Sequence, residues 1–316
     1  MIVTHISNLD HIKPSGSSAV ALGNFDGFHI GHKEIIKRCV DYAQDKSLIP
    51  TVITFDPHPK SILNHGLPHK CISTVEDKLE FIKSAGVKQC MLINFDLAFS
   101  KLHPNDFVQK YLINLLNAKA LFTGYNFCFG HNKSGNSEWL YRNAINYGMY
   151  YDSVSEVTLE YQKVSSSSIK RLLDLGAVET ASKILGRPYR IKGIVEAGEG
   201  AGSKLLGMPT ANIALNPQIY YPLLGVYLSK ITYEKVTKYG VSNLGVRPSL
   251  NPLKNPVLET HIFDFEANLY GKSISVELLQ FLRPERKFSS LDALIYQMKR
   301  DIISAKYALS HILDLA

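Results

Sequence analysis

At 316 residues, with 45% hydrophobic and 20% charged side chains, the chain is long enough to build two domains with substantial cores. No run approaches the roughly 20 apolar residues of a membrane span, MIVTHISNLDHIKPSG lacks the apolar core of a signal peptide, and Cys39, Cys71, Cys90 and Cys128 form no C-x-x-C pair. A membrane protein, a disulfide scaffold and a zinc ribbon are thereby set aside for a cytoplasmic chain; its formal charge of +7 suits anionic substrates, and its scattered Lys and Arg form no nucleic-acid patch.

The first strong signal is GNFDGFHIGH, residues 23–32. The apolar run SAVAL precedes it, and KEIIKRCVDYAQDK follows with apolar residues at helical spacing, so the motif joins a strand to a helix over about 31–46. Amides of a first helical turn attract anions, and Gly23, Gly27 and Gly31 allow a sharp turn and close approach. A phosphate cradle is the favoured reading, in which a histidine offers a hydrogen bond or a positive charge. A structural turn is the bland alternative. A metal site is weakest, because His29 and His32 stand three apart without a third ligand at suitable spacing.

Strand-like and helical stretches then alternate: TVITF at 51–55, a helix near 75–85, QCMLINF at 89–95, the helical PNDFVQKYLINLL at 104–116, and AKALFTG at 118–124. This is the rhythm of a parallel sheet covered by helices, whose ligands bind at strand C-termini. FDPHP (55–59) and GYNFCFG (124–130) both follow strands, and VSSSSIK (164–170) opens a helix with hydroxyls and a lysine, another place suited to phosphate. Individually Phe127 and Phe129 read as core.

After residue 187 the rhythm changes. YRIKGIVEAG, GVYLSKITY, YGVSNLG, PVLETHIFDF and KSISVELLQFL are β-type runs broken by Gly, Pro and Asn, and an amphipathic stretch over about 289–311 closes the chain. An antiparallel barrel plus a terminal helix is expected. Gly198, Gly200 and Gly202, with Lys204, could wrap a phosphate. Thr210 and Asn212 alternate along a strand, so both oxygens can face one side, as suits Mg²⁺.

These motifs carry a resemblance. GNFDGFHIGH looks like the HxGH signature of nucleotidylyltransferases, and with FDPHP and VSSSSIK it resembles the FMN adenylyltransferase half of bacterial bifunctional riboflavin kinase/FMN adenylyltransferases (FAD synthetases). GMPTAN, GVYLSK, SNLGVRPS, ETHIFDF, LYGK and FLRPERKF resemble the riboflavin kinase half in order. The resemblance implies a Rossmann-like α/β nucleotidylyltransferase domain over 1–182 and a six-stranded antiparallel β-barrel kinase domain with a C-terminal helix over 183–316. It implies that His29 and His32 stabilise the ATP phosphates and that Gly23, Asn24, Asp26 and Gly31 shape that site. Ser165, Ser166 and Lys170 would close on the triphosphate, while Pro57, Pro59, Asn126 and Phe129 would line the flavin pocket. In the second half it implies phosphate contacts from the Gly198–Lys204 loop, Mg²⁺-ATP on Thr210 and Asn212, Glu259 as base, and Arg283 beside the flavin. Riboflavin, FMN and ATP are the partners it implies. Two departures stand out: Asn126-Phe127-Cys128 replaces the frequent Asp-Phe-Arg, and Lys170 replaces an Arg, losing the planar two-pronged phosphate contact. They leave room for a kinase whose adenylyl half is degenerate. A flavin sensor without turnover would have no need of Glu259.

Overall fold

The computed structural model describes residues 1–7, 16–64, 68–196, 210–246 and 256–314. They fall into two compact units, 1–166 and 167–316.

The first unit is built on six parallel strands. In chain order its elements are β1 (Ile2–Ile6), β2 (Ser18–Leu22), α1 (Ile30–Asp45), β3 (Ile49–Asp56), the short α2 (Pro59–Leu63), α3 (Val75–Ser84), β4 (Gln89–Asn94), α4 (Pro104–Phe107) and β5 (Ala118–Gly124). A two-residue ribbon of β6 (Cys128–Phe129) and β7 (Gly135–Asn136) leads through α5 (Ser137–Asn143) to β8 (Tyr150–Val154). A small hairpin, β9 (Thr158–Leu159) and β10 (Gln162–Lys163), follows.

The spatial order is β1-β4-β3-β2-β5-β8. Successive strands run outward from β2 through β3 to β4, and the chain then returns to the other side of β2 with β5. This is a topological switch point, where the C-terminal ends of β2 and β5 open a crevice. All five residues of β2 are buried, as befits a central parallel strand covered on both faces. Helix α1 packs against it through Ile35, Ile36, Cys39 and Ala43, while the i,i+4 pairs Lys37–Asp41 and Arg38–Glu34 lie on its exposed side. Burial pushes the thiols of Cys39 and Cys90 up to about 12 and keeps them protonated and inert. The helix expected over 104–116 is wound in two ways: after α4 the chain continues as a π-helix, Val108–Leu115, which buries Val108, Leu112 and Leu115.

In the second unit, α6 (Ser166–Asp174), which begins at the unit boundary, and α7 (Val178–Leu185) precede a closed antiparallel barrel. Its strands are β11 (Tyr189–Glu196), β12 (Thr210–Ala214), β13 (Gly225–Tyr233), β14 (Val236–Val246), β15 (Pro256–Ile262) and β16 (Ser273–Pro284), in the order β11-β12-β15-β14-β13-β16. The final helix, α8 (Leu291–Asp314), lays Ile302, Ala305 and Leu309 over Leu228 and Phe263. The expected parallel α/β layer, six-stranded barrel and terminal helix are all present. Among the described residues no helix is long and apolar enough to cross a membrane.

Close strand approach leaves no room for a side chain at Gly240 of the barrel. A Cβ on Gly240 would stand 2.2 Å from the carbonyl oxygen of His261. Gly240→Ala is expected to cost about 1–3 kcal/mol through overpacking. Thermal melts of the full chain should show the barrel transition shifted down and FAD formation from supplied FMN retained.

Candidate active sites

The first site forms at the C-terminal end of β2. Phe25, Gly27 and Phe28 all take positive φ (52°, 76° and 44°), and the two aromatic rings are anchored in the core. That anchoring holds a strained turn in place, a pattern characteristic of functional sites. Gly23 donates its amide to Ile53 O, and Asn24 O accepts from Thr54 Oγ1 at 3.1 Å, so both residues tie the turn to β3. His29 is the N-cap of α1, its Nδ1 accepting the His32 amide at 3.3 Å. A Cβ at Gly31 would crowd that nitrogen at 3.2 Å, so glycine lets the ring cap the helix.

The two imidazoles stack with centroids 3.6 Å apart, and Phe25 packs edge-on against His32. Burial pushes His29 down to about 4, and burial together with the charges of His29 and Lys78 pushes His32 well below its ordinary value. Both rings are therefore neutral near pH 7. Of the two contributions expected from a histidine here, the hydrogen bond survives and the positive charge does not. Since Nδ1 of His29 is an acceptor, its proton sits on Nε2, ready to donate.

Ser166 Oγ donates to Asp26 O at 3.1 Å, which brings the serine run to the glycine-rich turn, and Ser165 adjoins it. The side chain of Asp26 is buried and accepts the Ile72 amide at 2.8 Å. Lys170 lies in the second unit, its ammonium 5.2 Å from the centre of the Tyr220 ring. Pro57 follows a cis peptide and Pro59 opens α2. Asn126 sits in the turn between β5 and β6, while Phe129 belongs to an aromatic cluster with Phe107, Phe127 and Trp139.

Asp26, His58 and His69 bring potential metal-ligating atoms within 4.8 Å of one another. The two rings are stacked, however, 4.3 Å apart and 27° from parallel, so their in-plane lone pairs run side by side rather than converging. Nδ1 of His58 also accepts the Lys60 amide, capping α2. The arrangement is a polar junction beneath the FDPHP loop.

The second site is a cavity of about 300 Å³ between the barrel and α8. Cross-strand pairing aligns Asn212, Glu259, Asn243, Val226 and Arg283 as direct neighbours on β12, β15, β14, β13 and β16. Of these, Glu259, Asn243, Val226 and Arg283 line the cavity, as does Thr210. Oδ1 of Asn212 is buried with no hydrogen-bond partner among the described residues, and its Nδ2 lies 3.5 Å from Thr210 Oγ1. Leu294, Ile295 and Met298 of α8 supply the apolar wall. Arg283 grips Asp301 with two bonds, of 2.9 and 2.7 Å, and Gln297 donates to the same carboxylate at 2.6 Å. Asn243 and Asp301 went unread in the sequence. An asparagine two residues from Val241 in a strand, and an i,i+4 Gln–Asp pair on an amphipathic helix, were the available signals. Gly198, Gly200, Gly202 and Lys204 lie outside the described residues.

An FAD synthetase family model matches residues 11–168 and a riboflavin kinase model matches 185–309. The bifunctional riboflavin kinase/FMN adenylyltransferase of Bacillus subtilis strain 168 is 33% identical over 306 residues, covering 95% of this chain and 96% of the relative. The chain belongs to the bifunctional riboflavin kinase/FMN adenylyltransferase family. The member from Buchnera aphidicola subsp. Schizaphis graminum is 35% identical over 97% of this chain and 98% of its own, and that of Escherichia coli K12 is 30% identical over 96% of each. A crystal structure titled as a macrolide-efflux protein from Streptococcus pneumoniae has the same fold, with a TM-score of 0.85 and 31% identity over 95% of this chain and 97% of that one. Within this bifunctional family framework, the HxGH turn falls in the FAD synthetase match and the barrel cavity in the riboflavin kinase match.

The neutral histidines have a consequence for stability. His29 has a folded pKa of about 4, below its ordinary 6.5, so the unfolded chain binds its proton more readily, and stability falls as pH drops from 6.5 towards 4. For His29 alone the loss is roughly 3 kcal/mol, and His32 adds in the same direction. Calorimetric melts across this range should show it. His29→Asn, which keeps an N-cap acceptor, should flatten the slope; an unchanged slope would assign the acid loss to other groups.

Proposed function

We propose that the barrel transfers the γ-phosphoryl group of ATP to riboflavin, and that the parallel-sheet unit then transfers the adenylyl group of a second ATP to the FMN formed. The products are ADP and FMN at the first step, and pyrophosphate and FAD at the second. The observation that carries this reading is the row Asn212–Glu259–Asn243 beside a cavity with one apolar wall. We place the functional boundary at 182/183, the reaction in the cytoplasm, and the flavin of the adenylyl site against Pro57, Pro59, Asn126 and Phe129.

In the kinase half, Glu259 takes the proton of the riboflavin 5′-hydroxyl as its oxygen bonds to the γ-phosphorus and the bond to the β-phosphate oxygen breaks. Arg283, fixed by Asp301, borders the flavin. Thr210 and Asn212 suit Mg²⁺, because Asn212 Oδ1 is a buried hard oxygen without a partner among the described residues. Bound there, Mg²⁺ would offset the negative charge of the ATP phosphates. We also assign phosphate contacts to Gly198, Gly200, Gly202 and Lys204.

In the adenylyl half, an FMN phosphate oxygen attacks the α-phosphorus and pyrophosphate departs, with no proton to remove from an ionised nucleophile. The protein's task is alignment and stabilisation of charge. Nε2–H of His29 and the first-turn amides of α1 provide donors, and Ser165, Ser166 and Lys170 are assigned to the triphosphate.

Incubation with riboflavin, ATP and Mg²⁺, followed by chromatographic separation of the flavins, should yield both FMN and FAD. FMN alone would select the kinase with a degenerate adenylyl half. Two variants should separate the sites. Glu259→Gln should lower kcat for FMN formation by about 10²–10⁴-fold and spare FAD formation from supplied FMN. His29→Ala should abolish FAD formation and spare the kinase.

A further inference from the structure

Helix α8 buries Gln297, Asp301 and Ala305, two of them polar where apolar side chains would pack. Asp301 is 6% exposed, and three donors converge on its carboxylate. Arg283 Nε and Gln297 Nε2 donate to Oδ1 at 2.9 and 2.6 Å, and Arg283 Nη2 donates to Oδ2 at 2.7 Å. Arg283 Nη1 donates to Pro284 O at 3.0 Å, so every nitrogen of the guanidinium is engaged and its plane is fixed. Oε1 of Gln297 accepts Arg286 Nη2, and Arg283 and Arg286 stand 5.8 and 4.9 Å from the centre of the Phe288 ring.

This network lies at one end of the barrel cavity. Arg283 and Asp301 both line it, and the cross-strand row runs from Arg283 through Val226 and Asn243 to Glu259. Three strand spacings, roughly 14 Å along the wall, separate the guanidinium from the base. A lone arginine here would swing on its long side chain towards anions, the phosphates of ATP among them. Gripped by Asp301, it presents a fixed and charge-compensated plane, which suits an uncharged ring such as that of riboflavin. A buried ion pair is a weak source of stability compared with apolar packing, so a pair set into a cavity wall has a task in that cavity.

We propose that Asp301 is a positioning and specificity residue for riboflavin phosphorylation: acting through Arg283, it fixes the plane beside the flavin ring and keeps that end of the cavity selective for an uncharged ring over a phosphate. This rests on the reading in which the flavin lies beside Arg283. The carboxylate touches no reacting atom. It sets the end of the cavity opposite Glu259, and with it the direction in which the substrate enters.

The test uses the full chain and the variants Asp301→Asn, Arg283→Gln and their double. Asp301→Asn keeps the shape but offers an amide N–H₂ to a guanidinium that needs acceptors. KM for riboflavin, and its Kd from fluorescence titration, should rise about tenfold, with KM for ATP within about threefold of wild type. Inorganic phosphate should inhibit FMN formation by Asp301→Asn competitively with riboflavin, and more strongly than in the wild type. Because Asp301 acts through Arg283, adding Asp301→Asn to Arg283→Gln should weaken riboflavin binding by less than about threefold. The double variant leaves neither charge buried alone, so it judges the proposal even if Asp301→Asn by itself does not fold. A rise in riboflavin KM under about threefold, a fall in kcat alone, phosphate inhibition no stronger than in the wild type, or a further loss above about threefold on Arg283→Gln each overturns the proposal. If Arg283→Gln binds riboflavin as the wild type does, the placement of the flavin beside Arg283 falls with it. If Arg283→Gln weakens binding and Asp301→Asn does not, that placement stands and the role of Asp301 alone falls.

Discussion

Hydrogen-bond register decides which side chains can meet, and in both units the sites follow from it. In the barrel, five antiparallel strands are locked so that Asn212, Glu259, Asn243, Val226 and Arg283 stand opposite one another. Because side chains alternate with a period of two, a slip by one residue would turn each of them to the other face. In the parallel sheet the same pairing brings the C-terminal ends of β2, β3 and β5 side by side, where the HxGH turn, the FDPHP loop and the Asn126 turn begin.

Burial then sets the chemistry. At the adenylyl end, desolvation strips charge from His29 and His32 and leaves hydrogen-bond donors. Around the barrel cavity charges are paired: Arg283 and Asp301 meet in a two-bond contact that Gln297 completes. One unit thus presents neutral donors and helix amides, the other charged groups held in fixed geometry.

Much of this was legible in local patterns. The glycines of residues 23–32 and the helical period after them marked a strand-to-helix turn, and the alternation of Thr210 and Asn212 marked two oxygens on one face. What escaped were partners whose relevance depends on distant pairing. Asn243 joins the row only through β14–β15 register, and Asp301 matters because Arg283 reaches it from another element. Strand β1 was missed because an edge strand with Ile2 exposed carries little apolar signal, and the π-winding of Val108–Leu115 leaves the same residues buried as a regular helix would.

The placement of α8 bears on how the chain is made. Every barrel strand precedes it, and β16, which pairs with both β11 and β13, is the strand that closes the ring. During synthesis the barrel can therefore complete its hydrogen bonding while Leu228 and Phe263 still face solvent, until α8 emerges and covers them. A chain not yet carrying α8 lacks the cover that Ile302, Ala305 and Leu309 give to Leu228 and Phe263, and uncovered apolar surface of this kind is what makes incomplete chains prone to aggregate. The first unit, with every strand of its parallel sheet behind it by then, has no such wait.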